Sequence, residues 1–104
     1  MKSKTPTKAE SARMEIIKSQ VGCIATYSEH GGYTPCEIHH LLDTGRRRGH
    51  AFTIGLTYEH HQGKNGIHKA KKAFRDNYGT DDSLLALTNE RIAACRLNTI
   101  GGSA

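Results

Sequence analysis

The chain has no tryptophan, only two phenylalanines and four tyrosines among its 104 residues, and a hydrophobic share of 36%. So small a stock of large apolar side chains leaves burial alone barely able to offset conformational entropy. A bound metal, a partner chain or polynucleotide contacts are expected to add stability. The length supports one domain at most. No apolar run is long enough for a signal peptide or a membrane span, so no membrane association is expected and a cytoplasmic location is. Cysteine is also scarce. Cys23, Cys36 and Cys95 are odd in number, which excludes a disulfide framework that pairs them all, and reduced, partly buried thiols are expected.

Negative charge is the next shortage. Asp and Glu total 10 against 15 Lys and Arg, a net charge of +5, which points to an anionic partner. The imbalance is concentrated between Arg46 and Arg75, where Arg46, Arg47, Arg48, Lys64, Lys69, Lys71, Lys72 and Arg75 face Glu59 alone. Phosphate is the anion that such side chains neutralise best, because binding it releases counterions.

What the chain does have is histidine. Seven are present, with doublets at His39-His40 and His60-His61 and a further residue at His68. Unlike a terminal tag, they are internal and interleaved with apolar and glycine positions. Imidazole is the commonest metal ligand and the side chain best suited to proton transfer near neutrality. Adjacent histidines on an extended segment point to opposite faces, or at a strand end divide two jobs between them, and a downstream pair can close around the same ion.

Residues 1–7 read as a basic tail, with Thr7 or a neighbour capping a helix from Lys8 to about Gln20. Val21 to Tyr27 is apolar and small. The next residues, SEHGGYTP, are turn chemistry. Cys36 to His40 alternates into a brief strand, Leu41 to Gly49 is a basic loop, and Ala51 to Leu56 is a second strand able to pair antiparallel with the first. Thr57 is placed to cap a short helix over YEHHQG. Ile67 to Tyr78 has an inward stripe of Ile67, Ala70, Phe74 and Tyr78 and a stop at Gly79. Asp81 or Asp82 can cap a last helix to about Arg96, with Leu84, Leu85, Leu87 and Ile92 buried. A domain of residues 8–97 followed by a flexible tail, 98–104, is the expected organisation.

Hairpin, basic loop, second strand and histidine-bearing helix follow the outline of a ββα-metal finger. The strings GCIAT, EIHHLLDTGRRRGHAFTIGL, EHHQGKNGIHKAKKAF and YGT resemble the recombination-enhancement, RecA-dependent nucleases of phages and prophages, a branch of the HNH endonuclease superfamily. The similarity covers roughly Val21 to Leu87. It implies a small α+β domain built on an HNH finger with flanking helices, acting inside a bacterial host cell, and hydrolysis of DNA phosphodiester bonds, single-stranded or recombining DNA being the target and a RecA filament a partner.

Carried over by position, the resemblance makes His39, His61 and His68 metal ligands and His40 the general base. An imidazole not bound to metal keeps the lone pair that takes a proton from water. Exchange of His60 and His61 between two sites is an open alternative. One divalent ion is implied: three imidazoles suit zinc, nickel or cobalt better than magnesium, although magnesium is abundant in cells. Arg46, Arg47 and Arg48 are candidates for phosphate binding, and each is equally readable as part of a charge-tolerant loop. His50 matches a position that braces the loop. The family's second, structural zinc would fall at Cys23, Thr26, Thr57 and His60. Two of those four are hydroxyl residues, so this site is expected to be empty or replaced by hydrogen bonds, with Thr57 as a cap and Cys23 as a small buried side chain. A catalytically weak or inactive nucleic-acid-binding module on the same fold is the competing reading.

Overall fold

Thr7 opens the first helix through a reciprocal pair of hydrogen bonds. Its hydroxyl accepts from the Glu10 N–H at 3.1 Å, and the Glu10 carboxylate accepts from the Thr7 N–H at 2.9 Å, a capping box that satisfies two orphan donors. The structure is a computed structural model describing residues 5–43 and 45–103, with side chains described as far as Cys95. Of the expected N-terminal tail, residues 1–4 lie outside the described residues. Helix α1 spans Lys8–Ile16. In place of the α-helical continuation to Gln20 there is a π-helical turn, Ile17–Val21, which brings both of its end residues into the core. Gly22 closes that turn at φ 75°, donating to the Ile17 carbonyl at 2.7 Å. A Cβ there would collide with the Thr34 carbonyl, so only glycine fits.

The small apolar segment forms helix α2, Ile24–His30, which takes Ser28 to His30 from the expected turn, so that the turn begins only at Gly31. Cys23 supplies the cap: its sulfur accepts from the Thr26 N–H at 3.4 Å. Strand β1, Glu37–His40, then pairs antiparallel with β4, Thr53–Leu56, with His39 opposite Ile54 and His40 opposite Thr53. Between them, part of the expected basic loop forms a small ladder of β2, Leu42–Asp43, and β3, Arg46–Arg47.

Thr57 caps the single turn α3, Tyr58–His61, accepting from the His60 N–H. The helix expected from Ile67 begins only at Lys71: α4 spans Lys71–Tyr78 and ends at Gly79, φ 119°. Residues 67 and 68 instead tie back to α3, with Ile67 N–H donating to the His60 carbonyl at 2.7 Å and His68 N–H to the His61 carbonyl at 3.4 Å. Helix α5 spans Asp81–Ser103. Thr80, rather than Asp81 or Asp82, accepts from the Ser83 N–H, leaving the two aspartates in the first turn where the helix dipole favours them. The backbone stays helical past Arg96 through most of the expected tail, since no glycine or proline interrupts before Gly101. Ala104 lies outside the described residues.

The core forms where α2, the π-helical turn and α5 close over β4, with Ile17, Ile24, Leu41, Ile54, Leu56, Phe74 and Leu84 almost wholly buried. Ile92 is buried as well, while Leu85 and Leu87 are partly so. The result is a small α+β fold with two antiparallel sheets. Among the described residues, no helix is long and apolar enough to cross a membrane.

Candidate metal centre

Strand β1 presents Glu37 and His39 on one face by simple alternation. From the other side, the backbone bonds between 67–68 and the α3 turn hold His68 against His61. Gly66 permits that approach, since a Cβ there would lie 2.8 Å from the Glu59 carbonyl oxygen. The three imidazoles meet in a near-equilateral triangle with ring centroids 5.0 Å (His39–His61), 5.0 Å (His39–His68) and 4.8 Å (His61–His68) apart. One ring nitrogen from each lies within 4.8 Å of the others. His39 is buried at 5% exposure, whereas His68 opens to solvent. A cavity of about 210 Å³ lies against His39 and His68, with Lys71, Asp81, Leu42 and Ile67 on its walls.

His40 has a different neighbour. Its Nε2 lies 3.0 Å from Nδ1 of His50, and the His50 carbonyl accepts from the buried Thr53 hydroxyl at 3.0 Å. This pair of bonds joins the loop before β4 to the end of β1. Arg47 raises the cost of protonating both His39 and His40, so the two rings share a cationic neighbourhood.

The electrostatics keep these imidazoles neutral. Burial first, then His61 and His68, pushes His39 down to about 4. Burial, followed by Arg47 and His50, lowers His40. His68 is lowered by burial, then by His61 and Lys71. A neutral imidazole has one unshared pair to give, to a cation or to a proton.

Of the second doublet, His61 joins the triangle and His60 turns away. His60 Nδ1 lies 2.9 Å from the Thr57 hydroxyl and 3.5 Å from the Cys23 sulfur, while its Nε2 lies 3.1 Å from the Tyr78 hydroxyl. Thr26 donates its hydroxyl to the Cys23 sulfur at 3.2 Å. Cys23, Thr26, Thr57 and His60 thus form one hydrogen-bonded cluster that links α2 to α3 and, through the Tyr78 hydroxyl, to α4, with Cys23 fully buried.

The arginines are not equivalent. Arg46 and Arg47 are exposed on β3. Arg48 is held, its guanidinium 2.9 Å from Asp82 and its Nε donating to the Leu42 carbonyl at 3.2 Å. Three residues beside the triangle have no part in the sequence-derived set: Glu37, whose carboxylate lies 2.8 Å from His61 Nδ1, and Lys71 and Asp81 on the cavity wall. Glu37 carries a legible signal, standing two residues before His39 on the same strand. A larger apolar groove of about 610 Å³, between α1 and α5, contains no histidine and lies apart from this chemistry.

A family model described as recombination enhancement, RecA-dependent nuclease matches residues 6–93. The chain belongs to that family. No curated protein and no solved structure matches it. The span matched by this RecA-dependent nuclease family includes every histidine of the triangle, the His40–His50 pair and the basic β2–β3 ladder.

Proposed function

We propose that this member of the RecA-dependent nuclease family is a divalent-metal-dependent DNA endonuclease of phage or prophage origin with an HNH-type centre, in which β1, β4 and the α3–α4 segment serve as the ββα finger. The convergence of His39, His61 and His68 beside His40 carries this reading. Around a tetrahedral ion, nitrogens about 2.0–2.1 Å from the metal stand roughly 3.4 Å from one another. The triangle's limit of 4.8 Å is within reach of small side-chain rotations. Its donors are three imidazoles without a carboxylate, a set that favours zinc in a crystal, with magnesium a candidate for activity in cells.

A bound divalent ion would supply Lewis-acid polarisation of the phosphate and stabilise negative charge on the leaving oxygen. The chain's own residues do the rest. His40, neutral at pH 7, takes a proton from the attacking water, and its 3.0 Å hydrogen bond to His50 fixes the ring for that task. Arg47, with Arg46 and Lys71 nearby in sequence or on the cavity wall, attracts and orients the phosphate backbone. Arg48 contributes to phosphate binding only by exchanging Asp82 for the substrate. Among the described residues no element is placed to read a groove, so phosphate contacts dominate and sequence preference is slight. The family name supports a RecA filament as partner, with single-stranded or recombining DNA as substrate.

The second, structural zinc is proposed to be absent. Hydroxyls are poor zinc ligands, and the Cys23, Thr26, Thr57 and His60 side chains are joined to one another instead.

The test is cleavage of single-stranded and recombining DNA with added divalent ions, with and without RecA, by wild type and His40→Ala. Loss of general-base catalysis costs about 10²–10⁴-fold in rate, so the variant is expected to bind DNA normally and cut at least a hundredfold more slowly. Binding by both proteins with cleavage by neither would replace the enzyme reading with that of a nucleic-acid-binding module.

A further inference from the structure

We propose that Glu37 is a positioning residue: its carboxylate fixes the tautomer and orientation of His61 so that Nε2 presents its lone pair to the metal. The inference rests on the reading of the histidine triangle as a metal site.

Glu37 Oε1 lies 2.8 Å from His61 Nδ1. An ionised carboxylate has only lone pairs to offer, so a neutral imidazole at this distance must carry its proton on Nδ1. Its other nitrogen, Nε2, is then left unprotonated as the ligand atom. Without the carboxylate, the proton is free to occupy Nε2, which would have to lose it before ligation. The carboxylate also makes the ring a more basic donor.

The placement is set by the fold. Glu37 and His39 share a face of β1, so one strand supplies both a ligand and the group that aims a second ligand from α3. Gln62, the residue after His61, donates its amide to the same Oε1 at 3.4 Å. The Glu37 side chain is 43% exposed and that of His61 13%. Water therefore screens the pair, and the effect on affinity belongs at the lower end of the 10–100-fold range for such partners, about tenfold.

The experiment uses the full chain and Co²⁺, whose visible absorption reports ligation. Co²⁺ titrations compare wild type, Glu37→Ala and Glu37→Gln. Nitrogen-15 spectra of the metal-free proteins identify the His61 tautomer, and thermal melts check folding. Wild type is expected to hold the Nδ1–H tautomer. Glu37→Ala should shift the population towards Nε2–H and weaken Co²⁺ about tenfold without lowering the metal-free melting temperature. Glu37→Gln, whose amide oxygen still accepts the Nδ1 proton, should keep the tautomer and fall between the two, and it decides the matter if the alanine variant is unstable. Wild-type Co²⁺ affinity in both variants overturns the inference and leaves the metal reading standing. A wild type that binds no Co²⁺ at the three histidines overturns both.

Discussion

Acidifying the metal-free protein should destabilise it through His39. This ring is 5% exposed, and burial with His61 and His68 alongside lowers it from 6.5 to about 4. The unfolded chain takes up a proton near 6.5 and the folded chain only near 4. Between those values protons therefore favour the unfolded state, and stability present above pH 6.5 is lost as pH falls towards 4. For one group with these two values, lowering pH from 7 to 5 removes about 2 kcal/mol. His40 and His68 are lowered as well, so they act in the same direction. Urea unfolding in the presence of a chelator, at pH 7 and at pH 5, measures the loss. Subtracting the same difference for His39→Gln removes the contribution of every other group. The wild type should lose about 2 kcal/mol more than the variant. Equal losses in the two proteins, or a wild type stabilised by acid, would refute the argument that burial holds His39 neutral.

Two further outcomes follow from packing and burial. Arg13 ties α1 to β4 and α5, donating to the Thr53 main-chain carbonyl at 2.7 Å, the Thr53 hydroxyl at 3.1 Å and the Asn89 side-chain Oδ1 at 2.7 Å. Arg13→Ala leaves buried Thr53 short of partners and should lower stability by about 1–3 kcal/mol in chemical denaturation; a change below a few tenths would show that water replaces the guanidinium freely. Burial, then Cys23, pushes the Cys36 thiol up to about 11 from 9.0, which reduces its thiolate at pH 8 about 100-fold. Iodoacetamide followed by mass spectrometry should label Cys36 far more slowly than a free thiol, and labelling at the free-thiol rate would contradict its burial.

Much of the site can be read from the sequence because strand alternation and capping are local signals. The β1–β4 pairing follows from two short runs of residues, and Thr57 caps α3 as its position implies. Other features depend on contacts distant in sequence. Val21 to Tyr27 is short and rich in small and β-branched residues, a pattern shared by strand and buried helix, so α2 becomes definite only through the Cys23 cap. The late start of α4 reflects hydrogen bonds from 67–68 to α3 that override the amphipathic pattern from Ile67. Those same bonds bring His68 to His61. Periodicity does not report that Arg48 is engaged by Asp82, 34 residues away, or that His60 faces Cys23 while its neighbour faces His39. The resemblance aligns Cys23, Thr26, Thr57 and His60. Their joining through hydrogen bonds is a tertiary fact.

Anomalous diffraction from crystals grown with zinc or cobalt tests the central claim most directly. The account predicts one strong peak bounded by the ring nitrogens of His39, His61 and His68, and none beside Cys23. A map without density between those three rings, or with the ion held elsewhere, would contradict it.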